Sequence, residues 1–445
     1  MATAATNTTQ KTEEHVSLKL LLNENGNKVL FAEAGKDFVD ILCSFLTMPL
    51  GTIARLVEKE STIGPVTVGC LNSLYKSVAD MDQCCFSTDT IKQMLLQPIN
   101  FAVDYCNTLK LNIDDTQPTN YFTCVFFHEL ITSTNKDKYK CRCGNSFSVT
   151  VCSKRLHQGF VNGSATFIVT DDLNVMPNCL DFASFGLLQE IGIKNTNALK
   201  EIVLNVTKEK VLDLLKCSLL SKSPLTDFFL EKKPSIGLSR FFSFDVKFSV
   251  NIQINLKLVI RKSDGKVLCA QGEQDFADLL LSFLTFPLGG IIRILGENCS
   301  LGSIGVLYKS IAALNVNKYL ISEVAKNRLV DPCISPLLKL SKPILPILQP
   351  GFIEYNRYYG DCVQFFKAGE YNTSEGNYDL VIAHLSPISA LGLLNRFKTP
   401  LNDLKEKFVT IGIKEALSIL KASLTSTSAL TNGLAHILTE VKEEK

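Results

Sequence analysis

No stretch of this chain is apolar for long enough to cross a bilayer. The most hydrophobic run, Leu279 to Ile292, contains Pro287, Gly289 and Gly290 and is closed off by Asp278 and Arg293. A helical span needs about 20 apolar residues, so the run is expected to be core. A long Lys/Arg run is missing too. The 46 basic residues stand against 44 acidic ones, without the basic excess of a nucleic-acid binder, so neither nucleic acid nor membrane is expected as a partner. Met1 to Glu14 lacks the apolar segment of a secretion signal, and residues 1–15 read as a flexible N-terminal tail. The five histidines are His15, His128, His157, His384 and His436. Gly-x-Ser-x-Gly elbows, phosphate-cradling Gly-x4-Gly-Lys-Ser/Thr loops and Gly-x-Gly-x-x-Gly fingerprints are all absent, so the sequence offers no catalytic constellation.

Fifteen cysteines are present, an odd number in a long chain. With no secretion signal before them, they read as reduced thiols of the cytoplasm or nucleus. Apolar residues make up 46% of the chain and charged residues 20%, a composition that buries a sizeable core. At 445 residues the chain is expected to hold two or three domains.

An internal ladder settles the organisation. Residues 28–56 align without gaps on 266–294, with 17 of 29 positions identical. The matches include Asp37/Asp275, Phe38/Phe276, Asp40/Asp278, Phe45/Phe283, Pro49/Pro287, Gly51/Gly289 and Arg55/Arg293. Leu74-Tyr-Lys-Ser77 returns as Leu307-Tyr-Lys-Ser310, and residues 199–223 align on 404–428. The local patterns agree. Val16, Leu18, Leu20 and Leu22 alternate with mainly polar neighbours, as do Ile252 to Ile260, the period of a strand with one buried face. Asn25-Gly26 and Asp264-Gly265 then turn each chain into a second short strand, 29–32 or 267–270. Next the period changes: Phe38, Ile41, Leu42 and Phe45, matched by Phe276, Leu279, Leu280 and Phe283, lie on one helical face. Pro49 and Pro287 stop these helices. Residues 221–237, with Pro224 and Pro234, close the first unit, and 332–350 with its five prolines reads as an irregular crossing segment. The expected fold is α+β, built as two tandem copies of a β-hairpin-plus-helices unit, residues 16–240 and 241–445.

Lys28-Val-Leu-Phe-Ala-Glu-Ala-Gly-Lys-Asp-Phe-Val-Asp40, Pro49-Leu-Gly51, Leu74-Tyr-Lys-Ser77, Val169-Thr-Asp-Asp-Leu173 and Ser423-Leu-Thr-Ser426 together resemble the plant family catalogued as domain of unknown function 674. The resemblance spans nearly the whole chain. It implies a plant protein with tandem copies and brings no established activity or catalytic residues.

One cluster carries chemistry: Cys124, His128, Cys141 and Cys143, spaced Cys-x3-His-x12-Cys-x-Cys-Gly. Zinc favours four Cys or His ligands in a tetrahedron, often paired on two turns, and Gly144 suits the tight backbone of the second. The hairpin at 121–152 is therefore a candidate structural zinc site, its three sulfurs expected to converge within about 4 Å. Cys152 is an alternative fourth ligand, and buried free thiols are the competing reading. The second unit keeps only Cys362 in the comparable region. Asp171-Asp172 after an apolar run, and His384 in the second unit, are the polar residues an enzyme would use; a turn after a strand accounts for the aspartates equally. Two functions remain. One is a non-catalytic binding or scaffold protein with a protein partner. The other is an enzyme with a cleft between the units, acting on an unidentified small molecule.

Phe45 and Phe283 each complete an apolar helical face. Replacing either by Ala is expected to cost about 3–5 kcal/mol in thermal or denaturant melts; a change within about 0.5 kcal/mol would place the side chain at the surface.

Overall fold

A computed structural model describes residues 14–23, 27–88, 90–116, 121–126, 130–132, 137, 140–151, 158–178, 186, 199–234, 253–296, 299–334, 345–347, 364–367, 374–377, 379–384, 392, 394–395 and 397–439. The tail at 1–13, the boundary near 240 and Cys362 lie outside the described residues, as does most of the proline-rich 332–350 segment.

The alternating apolar residues form strand β1 (Val16–Asn23), whose Val16, Leu18, Leu20 and Leu22 are buried. It pairs with β2 (Lys28–Gly35). Helix α1 (Lys36–Thr47) follows and covers this hairpin with Phe38, Ile41, Leu42 and Phe45. Pro49 then opens α2 (Leu50–Val57), which is followed by α3 (Leu71–Asp80) and α4 (Ile91–Leu96). A small antiparallel sheet comes next: β3 (Tyr121–Thr123), β4 (Leu130–Thr132) and β5 (Val149–Val151). Strands β6 (Thr166–Thr170), β7 (Val175–Pro177) and β8 (Leu199–Val206) return to the first sheet, and α5 (Lys208–Leu220) and α6 (Pro224–Phe229) close this half. Pro224 starts the second of these helices. Pro224 sits in the first turn, where its missing N–H costs nothing.

The same series recurs. Strands β9 (Ile254–Arg261) and β10 (Val267–Gly272) form a hairpin, and α7 (Gln274–Ser282) carries the buried Phe276, Leu279 and Leu280. A 3-10 turn, Phe283–Thr285, extends α7 before Pro287 opens α8 (Leu288–Leu295). Helices α9 (Ile304–Ala313) and α10 (Glu323–Val330) come next, then β11 (Ser374–Asn377), β12 (Ile382–His384), β13 (Leu404–Ile411) and α11 (Ile413–Thr425). The chain is α+β. Its two large sheets are antiparallel and share one strand order, β7-β6-β2-β1-β8 and β12-β11-β10-β9-β13.

The halves do not sit side by side as closed units. Helix α1 packs against α8, α9 and α10, while the turn after α7 packs on α2 and α4. Helix α3 reaches β12 of the second sheet, and α9 reaches β7 of the first. The backbone seals the exchange: Leu50 N–H donates to Phe286 O at 2.9 Å and Leu288 N–H to Met48 O at 2.9 Å. One hydrophobic core accordingly runs through both sheets and both helical groups.

Two buried carboxylates fasten crossing loop segments. Asp40 Oδ1 accepts the N–H groups of Phe160 and Val161 at 2.7 and 2.9 Å. Asp278 Oδ1 accepts those of Phe365 and Phe366 at 3.0 and 2.8 Å. Asp40 also pairs with Lys36, and the residue matching Lys36 before Asp278 is the neutral Gln274. Burial raises both carboxyl groups above their ordinary range, Asp278 to about 6, where nearby Asp275 adds to the rise.

A carboxyl raised on folding binds its proton more tightly in the folded chain than in the unfolded one. The stabilising contribution is therefore full below pH 3.8 and lost as the pH climbs through about 6. Asp278→Asn keeps an oxygen for both N–H donors and cannot ionise. It is expected to flatten the fall in Tm between pH 5 and 8 and to gain about 1–3 kcal/mol over the parent at pH 8. Asp278→Ala, which strands two buried donors, is expected to lose about 1–3 kcal/mol at either pH. Parallel melts of the three proteins check both expectations.

Candidate metal centre

The small sheet stands apart from the main core. Strand β3 pairs on both sides, Phe122 lying opposite Ile131 of β4 and Thr150 of β5. Its end delivers Cys124 directly, and a tight turn delivers the other two cysteines. In that turn Cys141 N–H donates to Asn145 O at 2.9 Å and Gly144 N–H to Cys141 O at 2.8 Å. Gly144 has φ +84°, in the left-handed region where a side chain is strained. The turn folds the Cys-x-Cys pair back onto Cys124.

Cys124 and Cys141 are buried and Cys143 is exposed. Their sulfurs all lie within 4.8 Å of one another, with Cys143 and Cys124 at 3.8 Å. Sulfurs around a tetrahedral zinc, bonded at about 2.3 Å, sit about 3.8 Å apart. One edge of the triangle has the length that zinc requires, and the others are no longer than 4.8 Å. The cluster can thus hold a metal ion, and its sulfur-only donors suit a soft or borderline one. His128 and Cys152, the two candidates for a fourth ligand, lie outside the described residues. Asn145 tunes the exposed thiol: its backbone N–H and its side-chain amide, the latter 3.3 Å away, both donate to Cys143 Sγ. With smaller help from Cys141 and Cys124, they hold the thiol down at about 7.

The two aspartates of the enzyme reading have other work. Asp171 lies in the turn after β6 and accepts Thr226 N–H at 2.8 Å, so it caps the start of α6. Thr226 in turn accepts Val29 N–H at 3.0 Å through its hydroxyl, tying that helix to β2. Asp172 accepts the hydroxyl of Thr170 within the turn at 2.5 Å. His384 ends β12 in the other large sheet, opposite Ser374. The structure therefore brings the cysteines together and leaves Asp171 and His384 on different sheets. A groove of about 560 Å³ lies on the open face of the second sheet, lined by Lys257, Gln271, Glu273 and Phe408 among others.

Sequence reading missed three roles. Asp40 and Asp278 appeared as matched positions, yet an acidic residue recurring inside an apolar helical stripe was the signal of a buried clamp. Lys216 is buried in α5 and donates to Lys59 O at 2.8 Å, to Gly64 O at 2.7 Å and to the Ser61 hydroxyl. Burial lowers its pKa, and its ammonium holds the 59–64 loop.

The fold and the cysteine cluster define an α+β protein with two like-ordered sheets and an appended three-cysteine ribbon. The family described as Protein of unknown function (DUF674) matches residues 12–375, and the chain belongs to it. No curated protein and no solved structure matches the chain.

Asn145→Ala removes the side-chain donor from Cys143. In chelator-treated protein, the pH midpoint of Cys143 alkylation by iodoacetamide, followed by peptide mass spectrometry, is expected to rise from about 7 towards the ordinary 9.0. An unmoved midpoint would show that the amide contributes nothing.

Proposed function

We propose that this chain is a non-catalytic binding or scaffold protein in which a zinc-stapled β ribbon is mounted on a frame of two fused copies of one α+β unit, residues 16–240 and 241–445. The observation that carries the reading is the convergence of Cys124, Cys141 and Cys143 in a ribbon whose described residues form only a small apolar cluster, separate from the main core. Among its described residues Cys124, Cys141 and Phe147 form the apolar cluster, with Phe122 packed against them. Three or four side chains cannot order a ribbon of this size, and small modules of this kind are held by a metal or a disulfide. Three sulfurs that lie within 4.8 Å of one another are more than one disulfide joins, which favours the metal.

A fourth ligand would close the zinc shell, so the ion would hold structure and leave no position for substrate. The non-catalytic reading draws further support from the buried ionisable groups. Asp40, Asp278, Asp171 and Lys216 each hold a loop or helix end in place. Reduced thiols suit the cytoplasm or nucleus. Among the described residues no helix is long and apolar enough to cross a membrane.

The test is elemental analysis of protein purified without added metal, beside a Cys141→Ser/Cys143→Ser double variant. About one zinc per parent chain and none in the variant is expected. Because the ribbon's cluster is separate from the main core, the variant should become protease-sensitive within 121–157 while its main melting transition stays in place. Absence of zinc from the parent, or equal zinc in both proteins, ends the proposal.

A further inference from the structure

Two large apolar side chains stand in water at the tip of the ribbon. Val125 and Phe126 are 53% and 63% exposed, in the turn that leaves Cys124. Exposed apolar pairs of this kind are unremarkable on a mobile loop, but this one is pinned. Cys124 is fully buried, and its sulfur lies 3.8 Å from that of Cys143. The residue between the other two cysteines is Arg142, exposed like its neighbour Lys140. An apolar tip and a guanidinium are therefore both anchored within two residues of the same sulfur cluster. Two backbone hydrogen bonds already close the turn that carries Arg142, so ordering it on binding costs little.

Charge tells what would meet this tip. Residues 121–157 hold six basic residues, Lys136, Lys138, Lys140, Arg142, Lys154 and Arg155, against Glu129 and Asp137. The rest of the chain holds 40 basic and 42 acidic residues. The positive excess of the chain lies in this segment, and its described basic residues, Lys140 and Arg142, are exposed beside the cysteine cluster, which favours an acidic partner. Between acidic macromolecules the apolar pair decides. Single-stranded nucleic acid rewards flat rings on which bases stack, and Val125 offers area without a face. A protein segment that carries both carboxylates and apolar anchors satisfies Val125, Phe126 and Arg142 together, since interfaces centre on buried aromatic and Arg contacts.

We infer that the ribbon tip is a docking surface for an acidic, apolar-anchored peptide segment of a protein partner, with Phe126 and Val125 as the anchor and Arg142 as the charged contact. The inference rests on the binding-protein reading and names the partner's chemistry.

The experiment uses the full chain as purified, with zinc measured in every sample. A labelled 15-residue synthetic peptide of Asp and Glu, with Leu or Phe at every third or fourth position, is titrated by fluorescence anisotropy. The comparison probes are a peptide of equal charge with Ser in place of Leu and Phe, and a single-stranded uridine oligonucleotide. The apolar-acidic peptide is expected to bind best. Phe126→Ser and Arg142→Glu are each expected to weaken it about tenfold or more with zinc content unchanged. The proposal is overturned if the Ser peptide binds as well, if the oligonucleotide binds more tightly, or if Phe126→Ser binds like the parent. The two readings fail separately. Zinc without peptide binding removes the docking surface alone. Peptide binding that Phe126→Ser abolishes, in a chain without zinc, supports docking and removes the metal.

Discussion

The rest of the structure depends on a reciprocal pair of backbone hydrogen bonds at two helix ends. The last carbonyls of a helix have no partner within it and must find one elsewhere when buried. Here the Cys70 N–H donates to Ser423 O of α11 at 2.7 Å, and the Ser303 N–H donates to Ser218 O of α5 at 2.9 Å. The following side chains repeat the reciprocity, the Cys70 thiol reaching Ser426 O and the Ser303 hydroxyl reaching Ser221 O, both at 2.9 Å. Such close approach needs glycine just before each donor. A Cβ on Gly69 would lie 2.4 Å from Ser423 O, and one on Gly302 would lie 2.2 Å from Ser218 O. Each half thus caps the closing helix of the other.

This mutual capping explains why one core spans the molecule. The helices that follow Pro49 and Pro287 leave their own hairpins and cross to the opposite half, and the carboxylates of Asp40 and Asp278 then hold the loop segments that meet them. Charge treats the two clamps differently. Lys36 neutralises Asp40, while Asp278 is answered by N–H donors alone and sits beside Asp275, so only the second clamp is raised as far as about 6. Equal geometry with unequal charge makes the second clamp the more pH-sensitive member of the pair.

Local features were legible in the sequence, and the exchange was not. The switch from period 2 to period 3.6 between Leu22 and Phe38 is written in consecutive residues, and it returned as β1, β2 and α1. The turn at Cys141 to Asn145 was legible for the same reason, since Cys-x-Cys-Gly fixes its own backbone. Which sheet α3 covers is another matter. Nothing between Pro49 and Leu74 distinguishes packing on the chain's own hairpin from packing on a distant one, because both present the same apolar residues. Pro224 shows the limit in miniature: proline ends one helix and begins another, and only the capping contact from Asp171 decides which.

The ribbon obeys different physics from the frame. Frame residues recur in matched pairs and are held by a continuous apolar core, so a substitution in one half is felt in the other. In the ribbon the described buried residues are few, and the cysteine cluster does not recur in the second half. Its positive charge has no counterpart in the remaining chain either. A segment that contributes nothing to the shared core is free to change without cost to folding, provided something else keeps its turns in place. Three convergent thiols can hold a metal ion there, and the adjoining Val125, Phe126 and Arg142 are exposed. The repeated parts of the chain are accounted for by packing. Recognition is therefore best sought in the part that is not repeated.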